Sequence, residues 1–177
     1  MTYVAMLRAI NLKGHNRIGM ADLRALFTDL GCTDVSTYVQ SGNVVFKSPK
    51  TAPQLVGAIE RAISSAFGLD VTVLVRSKQE LAKVVTGNPF TSRAAEPTHL
   101  HVTFLADKPR AGRVRDLQAR DFAPEELAVR GREVYLHCPN GYGRTKLNNA
   151  FLEKQLGVAG TTRNWRTVTT LAELAKA

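Results

Sequence analysis

The chain has 177 residues, a formal net charge of +9 and 44% hydrophobic residues. That is enough to bury a core as one domain or two small subdomains, and no run of about eighteen apolar residues suggests a membrane span. The start, Met1 to Arg8, lacks a basic segment ahead of its apolar stretch, so a cytoplasmic protein with no membrane partner is expected.

Cys32 and Cys138 lie far apart without metal-ligand spacing, and reduced, unpaired thiols are the default for them. The positive balance favours anionic partners and admits non-specific nucleic-acid binding. Its distribution argues against a dedicated footprint. The only dense run, Lys108 to Arg115, is flanked by Asp107 and Asp116 and reads first as a solvated helix face.

In chain order, residues 3 to 10 read as a strand, and a polar loop from Asn11 to Arg17 leads into a helix near 20 to 30. Met20, Leu23, Leu26, Phe27 and Leu30 keep helical spacing there, and Gly31 ends it. Val35 to Gln40 is a strand, Ser41-Gly42-Asn43 a hairpin turn, and Val44 to Lys47 the returning strand. After Pro49 and Pro53 comes an amphipathic helix carrying Leu55, Ile59, Ile63 and Phe67, stopped by Gly68; Asp70 to Arg76 alternates as a strand. The order is that of a split βαβ, ferredoxin-like unit.

Ser77 with Glu80 forms a capping-box pattern, which predicts a short helix over Leu81, Val84 and Val85. Asn88-Pro89-Phe90 and the polar stretch to Pro97 make the best linker candidate, dividing a first α+β subdomain, 1–90, from a second, 91–177. The second half repeats the order: strand 98 to 106, helix near 110 to 119, strand near 126 to 130, turn at Gly131, strand 132 to 138 and a helix from about 145 to 156. The repeat is then expected to break. Trp165, Val168, Leu171, Ala172 and Ala175 keep helical spacing, so a C-terminal helix is expected in place of the last strand, leaving the second ferredoxin-like subdomain incomplete.

Three segments carry a family resemblance. They are Leu7 to Gly14 with Met20 to Arg24; Tyr38 to Phe46; and Gly141 to Leu147 with Thr162 to Val168. Together they resemble the bacterial family called domain of unknown function 1697, over nearly the whole chain. The resemblance implies a two-part α+β fold with ferredoxin-like character in a small cytoplasmic protein, and no established activity or catalytic residues. One departure is visible. Ala9 stands where the family commonly has glycine after the arginine, which makes the start of that loop less permissive.

The segment Gly141-Tyr142-Gly143-Arg144-Thr145-Lys146 could cradle a phosphate or carboxylate with backbone amides, Arg144 and Lys146 adding charge and Thr145 capping the following helix. It is not a P-loop, because the hydroxyl precedes the lysine and the loop is short. An ordinary turn with an N-cap is the competing reading. Thr161 to Trp165 opens the last helix with Thr162 as its cap; Arg163 and Asn164 in a first helical turn, where the dipole disfavours a cation, suggest a compensating anion.

The loop with Asn11, Lys13, Gly14, Asn16 and Arg17 points polar donors at another helix start, against the alternative of a solvated connection. Turn chemistry alone accounts for Gln40 to Asn43.

Period-2 alternation is expected to put His99, His101 and Thr103 on one sheet face with Glu133, Tyr135 and His137, a set that could hold a divalent metal if the register allowed, although a polar sheet face is the commoner outcome. The aromatic alternation of an RNA-recognition module is missing, as are a nucleophile elbow, a dinucleotide fingerprint and paired-cysteine or His-Glu zinc motifs.

The best functional expectation is binding, or weak turnover, of a small anionic or phosphorylated ligand in a basic cleft between the subdomains. A nucleic-acid or protein interaction module using the basic surface is the alternative. The sequence names no cofactor.

Overall fold

The structure, a computed structural model, describes all 177 residues. The first half contains β1 (Thr2–Leu7), α1 (Met20–Asp29), β2 (Thr33–Tyr38), β3 (Asn43–Lys47), α2 (Ala52–Phe67), β4 (Val73–Ser77) and α3 (Lys78–Gly87). The second contains β5 (Leu100–Leu105), α4 (Ala111–Gln118), β6 (Glu126–Arg130), β7 (Glu133–His137), α5 (Asn149–Leu156), β8 (Gly160–Asn164) and α6 (Trp165–Leu174). The sheets run β2-β3-β1-β4 and β6-β7-β5-β8, all pairs antiparallel, which is the ferredoxin-like order twice. By internal contacts the chain forms one unit of Met1–Lys83 with Thr170–Ala177 and a second of Val84–Thr169, so the segment from Asn88 to Pro97 lies within the second.

Local chemistry explains most boundaries. Thr51 and Gln54 make a reciprocal capping box on α2, with Pro53 inside its first turn, and Gly68 ends the helix in the left-handed conformation. The Ser77–Glu80 pair does the same for α3: the Glu80 amide donates to Ser77 Oγ at 3.1 Å, and the Ser77 amide donates to Glu80 Oε2 at 2.7 Å. Apolar residues at helical spacing on α1 and α2, Leu23, Phe27, Leu55, Ile59 and Ile63, cover one face of the first sheet, where Tyr3, Ala5, Leu7, Val44 and Phe46 point. In the second unit, Leu117, Leu152 and Leu156 cover Leu105, Val134 and Leu136.

The expected break in the repeat does not occur. The last strand is present as β8, paired with β5 from His101↔Asn164 to Leu105↔Gly160, and the C-terminal helix follows it. Gly160-Thr161-Thr162-Arg163-Asn164 lacks the apolar alternation that marks a strand, because its buried positions are held by Thr161 and Arg163. The two halves therefore correspond to the end: Arg76 lies opposite Val4, and Arg163 opposite Val102. The residue after each arginine caps a helix, Ser77 for α3 and Asn164 for α6, whose Oδ1 accepts from the Thr167 amide at 2.8 Å.

Candidate functional site

The loop between β7 and α5 alternates inward and outward residues. Gly141 sits at φ +87°, a conformation suited to glycine, and Tyr142–Arg144 form a single 3₁₀ turn. Tyr142 points inward, its ring 4.4 Å from that of His101 and inclined by 20°, and its hydroxyl pairs with Thr162. Thr162 in turn bonds Thr103 at 2.7 Å and Asn149 Oδ1 at 3.1 Å. This half-buried network fixes the loop from below. Burial lowers the His101 pKa to about 4, so its imidazole is neutral at pH 7, and it pushes the Tyr142 phenol up.

Thr145 is also buried, and it does not cap α5. Its hydroxyl accepts from the Leu147 amide at 2.9 Å and lies 3.7 Å from the Cys138 thiol; Asn148 is the cap, accepting from the Phe151 amide at 2.9 Å. Lys146 and Leu147 lie between Thr145 and the Asn148 cap, so the helix starts beyond the position expected from the Gly-Arg-Thr pattern. Gly143, Arg144 and Lys146 point outward and are exposed, and neither cation has an ion-pair partner.

Arg144, Lys146, Gly141 and Asn140 form one wall of a cavity of about 580 Å³. The segment from Asp121 to Glu125, between α4 and β6, forms the other. Two side chains of each charge sign thus face the same space. Asp121 Oδ1 accepts from the Ala123 amide at 2.9 Å, and Glu125 lies beside the Cys138 thiol, which burial pushes up to about 11. Sequence reasoning missed Asp121 and Glu125, which sit in a connection with no motif; only the folding of the α4–β6 segment against the Gly141 loop brings them there.

Arg163 and Asn164 do not line this cavity. Arg163 is a buried strand residue, not part of a first helical turn; Nη1 donates to Thr161 Oγ1 at 2.8 Å and to the Thr162 carbonyl at 3.3 Å, and burial lowers its pKa to about 10. Asn164 is the α6 cap, which removes the dipole argument for an anion there.

In the first unit, Asn11 to Asn16 form a miniature hairpin: the His15 amide donates to the Leu12 carbonyl at 2.8 Å and the Asn11 amide to the Asn16 carbonyl at 3.1 Å, with Lys13 and Gly14 at positive φ on the tip. Asn11 is a structural clamp, its Nδ2 donating to the Ile18 and Gln40 carbonyls and its Oδ1 accepting from the Ile18 amide. Asn16 Nδ2 donates to the Ala9 carbonyl at 3.2 Å. Lys13, Gly14 and Arg17 are exposed. Five non-glycine residues here, Ala9, Asn11, Lys13, Asn16 and the neighbouring Val39, adopt left-handed φ. Ala9, at the start of the loop, has φ +56°.

The histidines do not converge. The register pairs His101 with Leu136 and Leu100 with His137, so His101 and His137 occupy opposite faces of the second sheet, and no group of three candidate ligands forms. The expected common face failed because odd residues of β5 pair with even ones of β7. His137 Nδ1 instead contacts Glu126 at 3.1 Å.

Two four-stranded antiparallel sheets, each with helices on one face and each in ferredoxin-like order, define an α+β protein of two related units. The chain belongs to the family described as protein of unknown function DUF1697, whose model matches residues 1–135. It is similar to the solved structure of the conserved bacterial protein SP0830 from Streptococcus pneumoniae, with a TM-score of 0.78 at 22% identity over 98% of each chain. That likeness shows the fold. No curated protein matches. No helix is long and apolar enough to cross a membrane.

Proposed function

We propose that the protein binds a small carboxylated or phosphorylated ligand at the Gly141–Lys146 loop of its second unit. One observation carries the reading: Arg144 and Lys146 are exposed on a cavity wall without a carboxylate partner, while Thr145 between them and Tyr142 before them are locked inward. Surface cations on long side chains usually gain little by pairing, but a preorganised loop that presents two of them beside a concave space reduces the ordering cost of binding an anion. Gly143 adds no side chain to the approach, with nothing within 4 Å of a Cβ placed there.

Thermal shift of the full chain against inorganic phosphate and citrate tests this, because a ligand selective for the native state raises the melting temperature. A rise that disappears in the Arg144→Ala/Lys146→Ala double variant is expected. No rise with either anion in the unsubstituted protein would sink the proposal. Both side chains are exposed and unpaired, so the variant is expected to fold.

The first unit favours a second reading, an interaction surface for a polyanion. Lys13, His15 and Arg17 are exposed on a strained hairpin with no acidic residue between Arg8 and Ala21. Salt-sensitive retention on single-stranded DNA or RNA, lost in Lys13→Ala/Arg17→Ala, is its signature; no binding at low salt rejects it.

A further inference from the structure

The cavity that holds Arg144 and Lys146 is not a basic cleft. Its lining carries two cations on one wall and two carboxylates, Asp121 and Glu125, on the other. None of the four has an ion-pair partner, so both signs of charge line one space without direct pairing. A simple anion on Arg144 and Lys146 leaves the two carboxylates of the lining unanswered, and a simple cation the two basic groups. A ligand with an anionic group at one end and an ammonium at the other satisfies both walls at once.

We infer that the site takes a small zwitterion, an amino-bearing carboxylate or phosphate, with its anionic end on Arg144 and Lys146 and its ammonium on Asp121 and Glu125. This rests on the binding reading above and sharpens it to a substrate class. A volume of about 580 Å³ is within the range of small-molecule sites and exceeds what a lone phosphate fills. The geometry also gives the acidic wall some rigidity. Asp121 is held by its bond from the Ala123 amide, and Glu125 is half-buried against Cys138. Asn140 and Gly141 border the cationic wall, offering a side-chain amide and an approach with no Cβ in the way.

The test compares matched probes that differ only in the ammonium: phosphoethanolamine against ethyl phosphate, and γ-aminobutyrate against butyrate. Affinities are measured by titration calorimetry on the full chain. The ammonium-bearing member of at least one pair is expected to bind about tenfold tighter, the scale of one charge-assisted hydrogen bond. That advantage should vanish in Asp121→Asn/Glu125→Gln, whereas ethyl phosphate should bind this variant at least as well as it binds the unsubstituted protein. Asn and Gln keep a carbonyl oxygen at each position, so the Ala123 amide keeps its acceptor. If ethyl phosphate and butyrate bind as tightly as their amino counterparts, the zwitterion inference is overturned and the anion site stands. If no probe binds, both fall.

Discussion

Replacing Gly160 by alanine tests the strand that the sequence concealed. A Cβ at Gly160 would lie 2.8 Å from the Phe104 carbonyl oxygen, 3.1 Å from Leu105 Cδ2 and 3.3 Å from Thr103 Cγ2. The first of these is backbone of β5, an inner strand bonded on one side to β7 and on the other to β8, so it cannot yield without disturbing a ladder. Overpacking at such a site costs roughly 1–3 kcal/mol. Weakening one ladder hydrogen bond adds about 1 kcal/mol, and the stiffer unfolded chain of an alanine returns about 0.4–1 kcal/mol. The net expectation is a loss of about 1–3.5 kcal/mol, a large share of a typical domain's stability. Urea unfolding followed by the fluorescence of Trp165, the single tryptophan, reports it from the helix that β8 leads into. Gly143→Ala is the control, with nothing within 4 Å of the new methyl, and should stay within about 0.5 kcal/mol of the unsubstituted protein. A Gly160→Ala variant equally close to it would refute the docking of β8 on β5 in this register.

Three further outcomes follow from single residues. Ala9→Gly should stabilise by about 0.5–1 kcal/mol, because relief of left-handed strain, about 1–2 kcal/mol, exceeds the entropy glycine adds to the unfolded chain; a destabilised variant in urea melts would contradict it. For His101, with a pKa of about 4 folded against 6.5 unfolded, the unfolded chain takes up the proton first, so its contribution to stability falls as pH drops from about 6.5 and levels off below about 4. Its imidazole resonances should titrate near 4, and a midpoint above about 6 rejects the buried stack on Tyr142. Cys138 is fully buried with its thiol pushed up to about 11, so iodoacetamide at pH 8 should label it only under denaturing conditions; labelling of the native protein within minutes would refute that burial.

The helices and turns legible in the sequence were those whose determinants are local. Ser77 with Glu80, Gly68, and the apolar spacing of α1 and α2 depend on residues within a few positions of one another. With strand alternation and turn signals added, the ferredoxin-like order could be read in full for the first half and as far as α5 for the second. The strand β8 could not, because its inward positions are Thr161 and Arg163, buried through hydrogen bonds and not through apolar side chains.

For the candidate site, the sequence by itself placed Arg144 and Lys146 beside two glycines in a turn between a strand and a helix, which is a local signal. Only the tertiary structure decided the rest. It turned Tyr142 and Thr145 into anchors, withdrew Arg163 into a strand, separated His101 from His137 by one residue of register, and set Asp121 and Glu125 across the cavity from Arg144 and Lys146. All four depend on partners far away in sequence, and for the strand residues Arg163, His101 and His137 the reason is pairing register. Side-chain direction in a sheet has a period of two, and pairing register is fixed by partners far away in sequence, so no local pattern records which charges end up facing each other.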